Sequence, residues 1–486
     1  MNHYYKKTTR ARRLALSALA LLSGCAFQTY SPKPLDPTLT AEHLQARDPS
    51  QPAFRQYLLS QGYSETQLPI RQWDLRDLTF SAFYFHPQLE VARAKWRATQ
   101  AKEITAGSRP NPGISGLVEH HSQDGNSPWL YGIAFDIPVV TGDKRQARIE
   151  EATNLSNAAR MEIGQTAWDI RKRLREDWLS YNESRQRAAV LRDETALRKE
   201  IVDMLEARLS AGMVSNVELG NARLLWQEAQ QALLAEEGRL PGLEAALASS
   251  AGLSVKSFRQ LALKPLADLS TTALPPPEQQ LKPELQQAAM LNRLDIRAAL
   301  ARYAAAEAKL RLEIARQYPD IVLSPGYSYD QGDRIWSLGF STLLALVDRN
   351  QGLIAEAKSL REVEAAQFEA LQANVIAELD QAEARYSAAV DEWKKARELL
   401  DAQQSQAARI SRQFDRGYAD RLEYRTAQLS TVLARQGLAS AYYKVQRSVG
   451  ALEDAVQRPL EDGDSILLEN LETKNGPSPS GAANEP

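Results

Sequence analysis

The stretch Phe414-Asp415-Arg416-Gly417-Tyr418-Ala419-Asp420-Arg421-Leu422-Glu423-Tyr424-Arg425-Thr426-Ala427-Gln428 reads as a tight turn between two helices. Gly417 can adopt the left-handed conformation that stops the incoming helix. Asp420 suits the N-cap of the outgoing helix, and Glu423 three residues later completes a capping box. A second version runs from Leu209 to Ala222. There Gly212, Glu218 and Ala222 stand 205 residues before Gly417, Glu423 and Ala427. The same spacing relates Leu89-Glu90-Val91 to Leu294-Asp295-Ile296, Phe135 to Phe340, and Asp143-Lys144 to Asp348-Arg349. It also relates Ile149, Glu151 and Ala152 to Ile354, Glu356 and Ala357, and Ala246-Leu247 to Ala451-Leu452. The chain is therefore two tandem copies of one unit, far longer than a solenoid repeat.

Outward from the turns, composition predicts very long helices. Asp143 to Ser210 contains no proline and Gly164 as its one glycine; Asp348 to Asp415 contains no proline and only Gly352. Alanine, leucine, glutamate, glutamine and arginine fill both segments. At about 1.5 Å per residue each helix would be roughly 100 Å long, which calls for coiled-coil packing rather than a globular core. Returning helices are expected over 216–252 and 420–457, the first kinked at Pro241.

Before each long helix the periodicity changes to two. Trp129, Tyr131, Ile133, Phe135 and Ile137 alternate with Leu130, Gly132, Ala134 and Asp136. In the second copy Trp336, Leu338, Phe340 and Thr342 alternate with Ile335, Ser337, Gly339 and Ser341, and upstream Leu323, Tyr327 and Tyr329 alternate with small or polar residues. These are strands with one apolar face. They form two hairpins, over about 112–139 and 320–346, with polar loops at His120–Ser127 and Gln331–Arg334. The strand length and the terminal Tyr and Trp suit a tilted membrane-spanning β-strand; a soluble four-stranded sheet packed on a helix is the alternative. Four strands cannot close a barrel, and an open edge is not tolerated in lipid, so a membrane barrel would need several chains. Three would supply twelve strands.

The 486 residues carry a net charge of −2, which gives no argument for nucleic acid. Five histidines leave little for a histidine-based metal site; His86 reads as a cap, and His120-His121 as solvated or strand residues. No nucleophile–base set, phosphate loop or metal-ligand cluster stands out, so neither an enzyme nor a cofactor is expected.

Residues 1–24 combine a basic start with a short apolar run, Leu14 to Leu22, and precede Leu22-Ser23-Gly24-Cys25. This is the pattern of a bacterial lipoprotein signal, with Cys25, the single cysteine, as the acylated residue; an ordinary signal peptide is the alternative. Ala26 follows rather than aspartate, which leans toward the outer membrane. Residues 25–65 are proline-rich and expected to form an extended arm with little structure of its own. A first repeat over 66–252 opens with helices near 66–82 and 87–108. A linker at 253–285 contains Leu274-Pro275-Pro276-Pro277, the second repeat spans 286–457, and 458–486 is expected to be a disordered tail.

The strand–helix junctions Ile137-Pro138-Val139-Val140-Thr141-Gly142-Asp143-Lys144-Arg145 and Leu346-Val347-Asp348-Arg349-Asn350-Gln351-Gly352 resemble those of the TolC-like outer-membrane efflux proteins. So do the turns at Gly212 and Gly417, the duplication and the Cys25 signal. The resemblance covers nearly all of the chain after the signal. It implies a mainly α fold with a transmembrane β part: a homotrimer sharing a twelve-stranded barrel in the outer-membrane lipid, continued by a long α-helical barrel in the periplasm of a Gram-negative cell. The arm, the linker and residues after about 453 would build a belt around the helices. Gly142, Asp143, Asp348, Arg349 and Gly352 would mark the strand–helix junctions.

The turns at Gly212 and Gly417 would form the periplasmic entrance, with Glu218, Phe414, Asp420 and Glu423 as the candidate gate. Glu423 stands where the family often has aspartate, and Phe414 where it often has tyrosine. Partners would be a periplasmic adaptor and an inner-membrane pump, of the proton-driven resistance-nodulation-division type. The Asp348–Gly352 junction most resembles the heavy-metal branch. The implied function is a passive exit duct. A type I secretion duct and a structural envelope lipoprotein with a coiled-coil tether are the rival readings.

Overall fold

The computed structural model describes residues 28–122, 128–265, 283–344 and 346–460. Cys25 and the tail beyond Leu460 lie outside them. Of the described residues, 28–46 belong to a separate unit. It contains helix α1 (Pro37–Gln45), capped by Asp36, whose carboxylate accepts from the Thr38 backbone N–H at 2.8 Å. Helix α2 (Pro52–Ser60) follows in the larger unit, also with proline in its first turn. The expectation of an extended arm over 25–65 is thus corrected. Pro37 and Pro52 begin helices, because proline's missing N–H is not needed at the first helical position.

Phe54 and Leu58 of α2, 0% and 2% exposed, enter a core with Trp73, Leu78, Phe80, Phe83 and Phe85. Four of these residues belong to α3 (Leu75–Phe85), which starts later than the expected 66–82 and is capped by an Asp74–Asp77 box. His86 caps α4 (Pro87–Gly107), its Nδ1 accepting from the Gln88 N–H at 3.3 Å.

Strands β1 (Gly113–His120) and β2 (Trp129–Val139) lead into α5 (Lys144–Ser210), and the Gly212 turn connects it to α6 (Asn216–Ser250). Helix α6 continues through Pro241. After a short α7 (Val255–Phe258), the second repeat consists of α8 (Pro283–Asn292), α9 (Leu294–Ala315), β3 (Ile321–Asp330), β4 (Asp333–Thr342), α10 (Gln351–Asp415) and α11 (Arg421–Val456). The second hairpin turn is tighter than the expected Gln331–Arg334. Gln331 (φ 44°) and Gly332 (φ 103°) make it, and Asp333 and Arg334 already pair in β4.

The two hairpins join through β2 and β3 into one antiparallel sheet ordered β1-β2-β3-β4. Its register places Gly116, Ile133, Tyr327 and Trp336 in one row across the sheet, and Ile137, Leu323 and Phe340 in another. That face is apolar yet open: Trp336 is 82% exposed, Phe340 77% and Leu338 73%. The opposite face is mostly small and polar, with Leu117, Leu130, Val322 and Ile335 as exceptions, and the Ser324 hydroxyl donates to Asp136 there at 2.6 Å. Among the described residues, β1 pairs only with β2 and β4 only with β3. No helix among the described residues is long and apolar enough to cross a membrane.

The long helices close on one another through the repeats. Helix α9 packs on α5 and α10, and α11 packs on both α10 and α5. Toward the C-terminal end of α11 the α5–α11 contact carries a buried charged cluster. The Glu453 Oε2 accepts from Arg171 and Arg175, each at 2.8 Å, and its Oε1 accepts from the Leu460 N–H at 2.9 Å. Arg175 also donates to Asp454 and to the Gly450 carbonyl, both at 2.8 Å, and the Trp168 indole donates to Asp454 at 3.1 Å. Glu453 and Arg171 are each 4% exposed. Gly450 has a steric reason: a Cβ there would lie 2.4 Å from Arg175 Nε.

Candidate functional site

The two helix turns lie side by side. Gly212 (φ 70°) and Gly417 (φ 78°) both adopt the left-handed conformation, and nothing lies within 4 Å of where a Cβ would stand at either. Backbone sterics alone therefore demand glycine there. Behind Gly417, the Asp420 carboxylate accepts from the Glu423 N–H at 2.9 Å, and the Asp420 N–H donates to Glu423 at 3.1 Å. The first turn is capped more simply, by Ser215, whose hydroxyl accepts from the Glu218 N–H at 3.1 Å.

Glu218, Asp420 and Glu423 are all exposed. The second oxygen of Asp420 receives Arg208 at 2.9 Å, so the cap of one hairpin is tied to the end of the other. Hydrogen bonding from the Glu423 amide, then from Arg208, holds the Asp420 carboxyl below its ordinary pKa. Phe414 stacks on Tyr424, rings 5.2 Å apart and 8° from parallel, and the Tyr424 hydroxyl accepts from Gln428 at 2.8 Å. Leu422 packs on Val202, Leu205 and Leu219, so an apolar contact as well as the ion pair joins the hairpins. Farther up, Arg425 pairs with Glu200 at 2.8 Å.

The strand–helix junctions are built differently from each other. Gly142 (φ 66°) passes close to α9: an added Cβ would stand 3.3 Å from the Ala315 carbonyl oxygen. Asp143 (φ 55°) is the N-cap of α5; Thr141 and Lys144 bind Asp320, at 2.9 and 2.7 Å. In the second repeat the left-handed N-cap is Asn350 (φ 63°), not Asp348. Asp348 instead accepts from the Asn350 N–H at 2.8 Å, and the Asn350 side chain donates to the Glu313 carbonyl at 2.7 Å. Burial raises Glu313, but the Asn350 hydrogen bond and the Arg316 and Lys309 charges outweigh it, and the net pKa is lowered.

The pairing of Asp143-Lys144 with Asp348-Arg349 is corrected accordingly. The structural partner of Asp143 is Asn350, two residues later, because the connection from β4 to α10 is longer. Arg349 is exposed. Gly352 lies in the first turn of α10 with open space around it, so it does not repeat the role of Gly142.

His121 Nε2 lies 3.3 Å from Asp330 Oδ1, and His120 stacks edgewise on Trp129 at 4.6 Å. No group of three His, Cys, Asp or Glu residues that could hold a metal occurs among the described residues. The Glu453–Arg171–Arg175 cluster escaped sequence reasoning altogether. Its one legible trace is that Gly450, Glu453 and Asp454 have no counterparts of the same kind 205 residues earlier, where Ala245, Ala248 and Ser249 stand.

The family described as outer membrane efflux protein matches residues 83–253 and 285–456, one segment in each repeat. The chain belongs to the outer membrane efflux protein family. Membership accounts for the duplication, the four-strand sheet and the paired helical hairpins in one chain. The family is one of efflux proteins, not of enzymes.

Among relatives, the chain is 26% identical over 285 residues to the cobalt-zinc-cadmium resistance protein CzcC of Cupriavidus metallidurans. That match covers 58% of this chain and 65% of the relative, just under two thirds of its length. Two solved structures share the fold. The outer membrane protein VceC of Vibrio cholerae superposes with a TM-score of 0.62 at 18% identity, over 80% of this chain and 97% of its own. The outer-membrane channel OprN gives 0.64 at 18%, over 89% and 99%.

Proposed function

We propose that this protein is the outer-membrane exit duct of a tripartite efflux system and works as a homotrimer. The observation that carries the reading is the sheet: four strands, one open apolar face of Trp336, Leu338, Phe340 and Phe135, and an unpaired edge at each side. Lipid accepts the apolar face but not the open edges, so β1 of one chain pairs with β4 of the next until a twelve-stranded barrel closes. The small, polar opposite face then lines a water-filled channel. The helices carry the conduit through the periplasm to the Gly212 and Gly417 turns, where Glu423 from three chains rings the entrance and favours cations over anions. The duct itself is passive. An adaptor meets the turns, and an inner-membrane pump, of the resistance-nodulation-division type, supplies the energy.

Acylation of Cys25 anchors the chain to the outer membrane before the barrel inserts. Cys25→Ser abolishes labelling by radioactive palmitate if this is so; undiminished labelling refutes it. For cargo, the likeness to CzcC favours divalent metal ions. A deletion strain is expected to lose tolerance of cobalt, zinc or cadmium, and loss of tolerance to organic compounds alone refutes that assignment. The duct reading is tested by the native mass of the protein after detergent extraction of outer membranes. A detergent-dependent trimer supports it. A monomer or dimer that stays soluble once its acyl chains are removed refutes it.

A further inference from the structure

At the foot of the sheet, where strands give way to helices, lies a cavity of about 870 Å³. One side of its lining is cationic, with Lys144 and Arg148 on α5 and Arg316 at the end of α9. The other is apolar, with Leu312 and the β4–α10 connection residues Leu343 and Leu344. Two of the three cations are already answered. Lys144 donates to Asp320 at 2.7 Å, and Arg316 to Glu313 at 2.8 Å. The acids on the wall are likewise engaged, Asp320 by Lys144 and Asp348 by the Asn350 N–H.

Arg148 is different. It has no ion pair or hydrogen bond within the described residues, and its Nε and Nη2 are shut off from solvent without a partner. Leaving a part-buried guanidinium unanswered is unfavourable, because its lost hydration is not replaced. Arg148 lines the cavity, and no acid among the described residues pairs with it. The apolar half argues against a bare inorganic ion: Leu343 and Leu344 stand at the lip, 88% and 68% exposed among the described residues.

We propose that this cavity binds an anionic amphiphile, with its phosphate or carboxylate head on Arg148 and its alkyl chain along Leu312, Leu343 and Leu344. Two sources can supply that chemistry: a bilayer phospholipid, or a soluble amphiphile in the surrounding water. The phospholipid source rests on the membrane reading above, because it needs the sheet in a bilayer. The soluble source does not.

The test uses the full chain purified in the neutral detergent dodecyl maltoside. Mass spectrometry of the intact oligomer counts retained phospholipid, and calorimetry on delipidated protein titrates dodecyl phosphate. Retained phospholipid identifies the bilayer as the source, and dodecyl phosphate binding without retained lipid identifies a soluble one. Either supports the site if Arg148→Gln reduces it about tenfold, the worth of one charge-assisted hydrogen bond, while Arg148→Lys keeps most of it.

Binding of neither probe by the unaltered protein overturns the proposal, as does equal binding by the Gln variant. A changed oligomer mass in the Gln variant also overturns it, since a neighbouring chain would then be what answers Arg148. Failure of the duct reading shows separately, in the native mass of the unaltered protein.

Discussion

Removing the charge of Glu453 is expected to loosen the contact between α5 and α11. Glu453 is 4% exposed and accepts three hydrogen bonds, from Arg171, Arg175 and the Leu460 N–H. Glu453→Gln keeps the volume but leaves two buried guanidinium groups without their shared anion. Breaking a buried pair from one side costs about 3–5 kcal/mol, mostly as uncompensated charge. Arg175 keeps Asp454 and the Gly450 carbonyl, so the low end applies, about 3 kcal/mol.

One decade per ~1.4 kcal/mol turns that into a hundredfold or more in the local opening equilibrium of the last turns of α11. Hydrogen exchange at the Ser448–Val456 amides, in the last turns of α11, reads it directly. Asp454→Asn serves as the milder comparison, because Asp454 is more exposed (15%) and Arg175 keeps Glu453 in that variant. Exchange in Glu453→Gln within threefold of the unaltered protein would refute the view that this cluster holds the two repeats together.

Four further outcomes are expected. Gly142→Ala loses about 1–2 kcal/mol by left-handed strain and crowding of the Ala315 carbonyl, whereas Gly352→Ala, in an open helical turn, is neutral or gains up to ~1 kcal/mol; thermal melts of the two variants should move apart. Asp420→Ala costs about 1 kcal/mol at the Gly417 turn through the lost cap, read as faster exchange at Glu423. The pKa of Asp420 is depressed by folding, so its stabilisation is full above the unfolded carboxylate value, ~3.9, and fades only as pH falls through the lower folded value; exchange protection that falls between pH 8 and 6 would contradict this. Phe340→Arg on the apolar face of β4 costs about 2–4 kcal/mol if that face meets mid-bilayer lipid, and undiminished recovery of the variant from outer membranes counts against a lipid-facing sheet.

Much of this protein is determined locally and can be read from its sequence. Gly212 and Gly417 need a left-handed backbone wherever the helices go, and Asp420 and Glu423 cap each other within three residues. The proline-free runs give helices because propensity adds over 65 and 67 residues, and the period of two in Trp129–Ile137 requires a strand with distinct faces. Duplication is visible because spacing survives where side chains have drifted. Local rules misread the arm, where Pro37 and Pro52 served as helix starts, and the second junction, where a longer connection moved the N-cap from Asp348 to Asn350.

What only the tertiary structure decides are pairings across long separations. The joining of β2 to β3 makes one sheet from two hairpins nearly 200 residues apart in the chain. Arg171 and Glu453, separated by 282 positions, look in sequence like any other charges on a solvated helix face. Their burial follows from which helix surfaces meet, and no pattern within either helix encodes that choice.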